Sequence, residues 1–231
     1  FFFKQKTAYE IPKRDWSSDV CSSDLMETQK LSPHMAIAVS GLDLGGPVDA
    51  ATQASLRALL NDNLVLCVRG QTLAPVPFRD AMARFGRPLQ RLQLERTAEC
   101  AEVNIVSSED RDTMGDGKKL VNGASWHTDD SFMREPCTLT MLYGVAIPST
   151  GGDTQFVNMY AAYEALPEAT KARIADLQVV HKYQSSRQTN RVSLRPEAEM
   201  KAMPEATHPL VKVHPETGRR ALYLKIGRAH V

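Results

Sequence analysis

Short apolar runs broken by turn signals constrain this chain more than any other feature. Leu64 to Val68, Val103 to Val106, Thr138 to Ile147, Gln155 to Val157, Val179 to Tyr183, Pro209 to Val213 and Arg220 to Leu224 are apolar or β-favouring runs of strand length. Gly45-Gly46-Pro47, Pro148 to Gly152 and Pro215 to Gly218 supply turns. Leu31 to Leu44 alternates loosely and predicts one or two further short strands. Helical patterns sit between the runs. Asp49 to Asn61 places Leu56, Leu59 and Leu60 near helical spacing behind an Asp cap. Pro75 to Phe85 carries Phe78, Met82 and Phe85 on one face. Asn158 to Leu166 and Pro167 to Leu177 follow, with Tyr160, Tyr163, Ile174 and Leu177 as expected core. The pattern predicts a mainly β fold with helical insertions.

Composition narrows the function classes. A net charge of +1 with no basic block gives no reason to expect nucleic acid or an anionic membrane as partner. No apolar run approaches the ~18 residues needed to span a bilayer. The four cysteines, Cys21, Cys67, Cys100 and Cys137, form no C-x-x-C pair and read as reduced thiols of a cytoplasmic protein. The ends differ in character from the rest. Residues 1–25 follow no structural period, lack the plan of a secretory signal and contain the near-repeats Ser17-Ser18-Asp19 and Ser22-Ser23-Asp24. They read as translated sequencing adaptor, and residues 225–231 read as a tail of the same kind. The expected organisation is therefore a non-native segment at 1–25, one domain at 26–224 and a non-native tail at 225–231.

The chemistry concentrates in Trp126-His127-Thr128-Asp129-Asp130-Ser131-Phe132 and, shortly after, Pro148-Ser149-Thr150-Gly151-Gly152-Asp153-Thr154. On a β-strand His127 and Asp129 would share one face, roughly 7 Å apart along the strand. One imidazole and one carboxylate on one face make two thirds of a 2-His-1-carboxylate facial triad, which holds non-haem Fe(II) with coordination positions left open. The polar, glycine-containing stretch Ser107 to Ser125 runs directly into Trp126 and is expected to be a lid or substrate loop.

These segments, together with "AVSGLDLGGPVD", "LVLCVRGQTLAP", "ARFGRP", "YAAYEALP" and "HPLVKVHPETGRRALYL", resemble the taurine dioxygenase / 2,4-D dioxygenase (TauD/TfdA) family of Fe(II)- and 2-oxoglutarate-dependent dioxygenases. The resemblance runs from about Leu31 to Leu224. It implies a double-stranded β-helix, the cupin-like jelly roll, incomplete at its C-terminus. It implies His127 and Asp129 as metal ligands and catalytic centre, Thr154 as the hydroxyl that meets the far carboxylate of 2-oxoglutarate, and O2 as the oxidant. The distal histidine of the triad and the arginine that grips 2-oxoglutarate are expected beyond Leu224, so the chain reads as a fragment with little activity of its own. Asn122 and Trp126 are the candidate substrate contacts. Family halogenases replace the carboxylate by a small residue, so Asp129 favours hydroxylation. Taurine-type members carry a histidine in the segment before the metal strand. None stands between His34 and His127 here, which argues against taurine and leaves a small organic acid as expected substrate. Homo-oligomer formation is compatible with this reading. His181, His208 and His214 are read as structural. The alternative is a non-catalytic jelly-roll fragment that binds a small molecule and carries His127 and Asp129 incidentally.

Overall fold

The computed structural model describes residues 26–90, 96–97, 99–107, 126–183, 203–224 and 229–230. The chain divides into two compact units, residues 1–103 with 141–158, and residues 104–140 with 159–231.

The first unit is built around a β-α-β crossover. Strand β1 (Glu27–Lys30) pairs antiparallel with β2 (Ile37–Ser40), and β2 pairs parallel with β3 (Leu66–Val68). Helix α1 (Ala50–Asn63) supplies the connection that a parallel pair requires. Its ends are set locally. The Asp49 carboxylate accepts from the Thr52 backbone N–H at 2.7 Å and from the Thr52 hydroxyl at 3.0 Å, satisfying a donor the helix cannot. At the other end Leu64 takes a left-handed conformation with φ 66°, and its N–H returns to the Leu60 carbonyl at 2.7 Å. Leu56 is 1% exposed and packs with Val39, Leu42, Leu44 and Ala81. Ala81 comes from helix α2 (Pro75–Ala83), which begins on Pro75 and Pro77 in the first turn. The Phe78 ring lies 5.8 Å from Tyr143, whose hydroxyl accepts from the Leu73 N–H at 3.2 Å. Strand β4 (Arg96–Thr97) pairs with β5 (Cys100–Asn104), slightly ahead of the expected run at 103–106.

In the second unit, α3 (Met159–Glu164) and α4 (Glu168–Ile174) precede β6 (Gln178–Lys182), which pairs antiparallel with β7 (Glu205–Pro209) and with β10 (Ala229–His230). Strands β8 (Val211–Val213) and β9 (Arg220–Leu222) form the expected hairpin. Gly218, at φ 67°, occupies a turn position that disfavours a side chain. The core gathers Ile174, Val179 and Leu210 with Tyr163, Leu166, Val211, Leu222 and Leu224. Leu177, expected inside, is 38% exposed, at the bend between α4 and β6.

Two expectations are corrected. Residues 138–147 and 155–157 form no strand, and neither do 127–129. Strand propensity describes fit to a pleated, half-buried surface, and it needs a partner backbone. Here Leu142, Val145, Ile147, Phe156 and Val157 all stay largely exposed, so nothing rewards an extended ladder. Conversely β7 begins at Glu205, inside a stretch that reads as aperiodic. It buries Ala206 and His208 on alternate positions while Glu205, Thr207 and Pro209 face out.

Candidate active site

His127 lies in irregular backbone that runs into a turn at 129–132, where Asp129 sits. Exposure falls along the segment: Trp126, His127 and Thr128 are exposed, Asp129 and Asp130 half-buried, Ser131 and Phe132 buried. Asp130 adopts φ 51°, a left-handed conformation that Asp tolerates better than most residues. The Met133 N–H closes the turn on the Asp130 carbonyl at 2.9 Å. Phe132 anchors the segment, its ring edge-on to Tyr183 at 5.2 Å and 82°.

The turn still brings the two side chains together. His127 Nε2 lies 3.5 Å from Asp129 Oδ1. That is longer than the 2.7–3.2 Å of an ordinary hydrogen bond. Two donors each about 2.1 Å from one metal ion, in adjacent coordination positions, would be about 3 Å apart. The second carboxylate oxygen is engaged elsewhere: the Thr140 hydroxyl donates to Asp129 Oδ2 at 2.8 Å. The Cys137 thiol approaches the Asp129 carbonyl at 3.9 Å. Thr140 therefore fixes the carboxylate so that Oδ1 faces the imidazole. An imidazole nitrogen and a carboxylate oxygen are suitable donors for Fe(II), so the pair fits the metal that the sequence implies. Among the described residues no group of three or more His, Cys, Asp or Glu side chains is arranged to hold a metal.

The remaining candidates distribute as follows. Trp126 is 47% exposed, directly before His127. Thr154 is exposed and belongs to the first unit, after Gly151 and Gly152, which both take positive φ, 74° and 71°. Asn122 and most of the expected loop at 107–125 lie outside the described residues. Sequence reasoning missed Thr140. A threonine inside an apolar run carries no signal of its own, and only the fold shows that it meets a residue eleven positions earlier.

The family profile described as taurine catabolism dioxygenase TauD, TfdA family matches residues 27–231. The chain belongs to the TauD/TfdA family. Its members are Fe(II)- and 2-oxoglutarate-dependent dioxygenases, oxidoreductases that consume O2. An alpha-ketoglutarate-dependent 2,4-dichlorophenoxyacetate dioxygenase from Cupriavidus pinatubonensis is 31% identical over 215 residues, 87% of this chain and 74% of that protein. An alpha-ketoglutarate-dependent sulfate ester dioxygenase from Pseudomonas putida is 28% identical, over 86% of this chain and 66% of that protein. Among solved structures, a putative alpha-ketoglutarate-dependent taurine dioxygenase from Burkholderia xenovorans superposes with a TM-score of 0.72 at 28% identity, covering 89% of this chain and 67% of that one. Among the described residues of this TauD/TfdA chain, no helix is long and apolar enough to cross a membrane.

Proposed function

We propose that this chain carries metal donors of a dioxygenase that hydroxylates a small anionic organic molecule, within a jelly-roll domain at residues 26–224. The observation that carries the reading is the pair His127 Nε2 and Asp129 Oδ1 at 3.5 Å, with Thr140 holding the other carboxylate oxygen. Bound Fe(II) would supply the activation of O2 that couples decarboxylation of 2-oxoglutarate, giving succinate and CO2, to hydroxylation of the substrate.

The residues do the rest. His127 and Asp129 would hold the ion. With a carboxylate at Asp129 in place of the small residue of related halogenases, hydroxylation would be favoured over halogenation. Thr154 offers a hydroxyl to the far carboxylate of 2-oxoglutarate. Trp126, directly before His127, is the candidate substrate contact, with Asn122 the second by sequence. The similar proteins are named for a carboxylate-bearing phenoxyacetate, a sulfate ester and taurine, a sulfonate, which supports an anionic substrate here. A cytoplasmic setting, which keeps the cysteines reduced, suits the chemistry.

The described residues bring two protein donors together, and two hold a divalent ion less firmly than three, so weak iron binding and slow turnover are expected. Succinate release from 2-oxoglutarate, measured with Fe(II), O2 and a panel of carboxylates, sulfonates and sulfate esters, tests the reading. The expected result is slow, iron-dependent release that H127A and D129A abolish. Fast release by the unmodified chain would contradict the weak-binding part. Binding of an acid with no dependence on iron would favour the non-catalytic alternative.

A further inference from the structure

The turn that carries the donors is held from a distant strand. The His208 ring, on β7, is 6% exposed, and its Nε2 lies 3.1 Å from the Ser131 carbonyl and 3.0 Å from the Met133 carbonyl. Both partners are acceptors, so Nε2 carries the proton and donates a three-centre hydrogen bond to the turn. Neighbours fix the ring itself. It stands edge-on to His181 at 5.4 Å and to Tyr223 at 5.3 Å, and His181 in turn stacks on Tyr223 at 5.1 Å. Ser131 is fully buried. Only Asp130, in its left-handed conformation, separates Ser131 from Asp129. A shift at Ser131 therefore passes to the metal donor through one residue.

We propose that His208 is a positioning residue of this dioxygenase, whose Nε2–H bond to Ser131 and Met133 sets the direction from which His127 and Asp129 approach the metal. The inference rests on the reading of His127 and Asp129 as metal donors. It assigns His208 a task beyond filling the core. An apolar ring of similar shape would pack in the same space and leave two carbonyls of the donor turn without their partner.

Two substitutions separate packing from positioning. H208F keeps an aromatic ring and removes the donor. H208Q restores an N–H that can reach a carbonyl. Amide hydrogen exchange of the peptide spanning 126–133 reads the tether without any metal, and electron paramagnetic resonance of added Mn(II) reads the donors. H208F is expected to speed exchange in that peptide about tenfold, the loss of roughly one hydrogen bond, while exchange in α1 and in the β8–β9 hairpin stays unchanged. Mn(II) affinity should fall about 10- to 100-fold, as for other groups that orient ligands. H208Q should recover most of both. Unchanged exchange at 126–133, or an equal rise across the whole second unit, would overturn the proposal and leave His208 a core residue. Should the unmodified chain bind no Mn(II), the metal reading fails, and the exchange comparison still decides whether His208 holds the turn.

Discussion

Helix α1 and the donor turn at 126–133 are organised in opposite ways. Both caps of α1 are made within four residues: Asp49 with Thr52, and Leu64 with Leu60. The donor turn depends on contacts far along the chain, to Thr140 and Tyr183, and to His208 more than seventy residues away. One region is specified by neighbours, the other by the completed fold. The difference explains why a helix boundary can be read directly while the geometry of the candidate site cannot. It also makes the two regions respond differently to substitution.

The largest expected effect on stability falls in the locally specified region. L56A would open a cavity beside Val39 and Leu44 at a cost of about 2–5 kcal/mol, read by thermal or urea unfolding. Metal affinity should hold, because none of these residues belongs to the donor turn. A parallel loss of Mn(II) affinity in still-folded protein would break the contrast drawn between the regions.

That contrast matches what the sequence made legible. Asp49 to Asn61 predicts a helix and Ala50–Asn63 forms one, since the cap and the apolar spacing act at short range. The β8–β9 hairpin was equally readable from Pro215 to Gly218. The apolar residues of 138–147 predict a strand, but strand formation needs a second backbone, and here Val145 is 87% exposed. β7 went unread for the opposite reason: one of its two inward side chains is His208, which scores as polar until its buried partners are known. At the site, His127 and Asp129 were visible as types at a spacing, and they do meet. The strand expected to align them is irregular backbone leading into a turn at Asp129, and the Thr140 hydroxyl that aims the carboxylate was invisible.

A smaller effect, in affinity and not in stability, tests the donor turn. T140V keeps the side-chain volume and removes the hydroxyl on Asp129 Oδ2. Mn(II) should bind about 10- to 100-fold more weakly, and T140S should restore it. An unchanged affinity in T140V would mean that the carboxylate is aimed by the backbone alone.

The smallest effect concerns Tyr223. Burial, with the nearby Cys137 and Asp130, pushes its phenol up to about 12. A raised folded-state value means that the folded chain favours the protonated phenol. This stability is complete below the ordinary value near 10 and is lost as pH rises toward 12. The hydroxyl is buried with no hydrogen-bond partner among the described residues. Y223F should therefore change neutral-pH stability little, by less than about 1 kcal/mol, and should flatten the decline in unfolding midpoint above pH 10. A strong loss at neutral pH would reveal a bond that the phenol makes in solution.

The central claim is that the 126–133 turn holds a divalent metal through His127 and Asp129. Electron paramagnetic resonance of Mn(II) titrated into the unmodified chain and into D129A tests it most directly. Weak, saturable binding of one ion to the unmodified chain, abolished in a folded D129A, is the predicted result. Equal binding by both, or none by the unmodified chain, would contradict it.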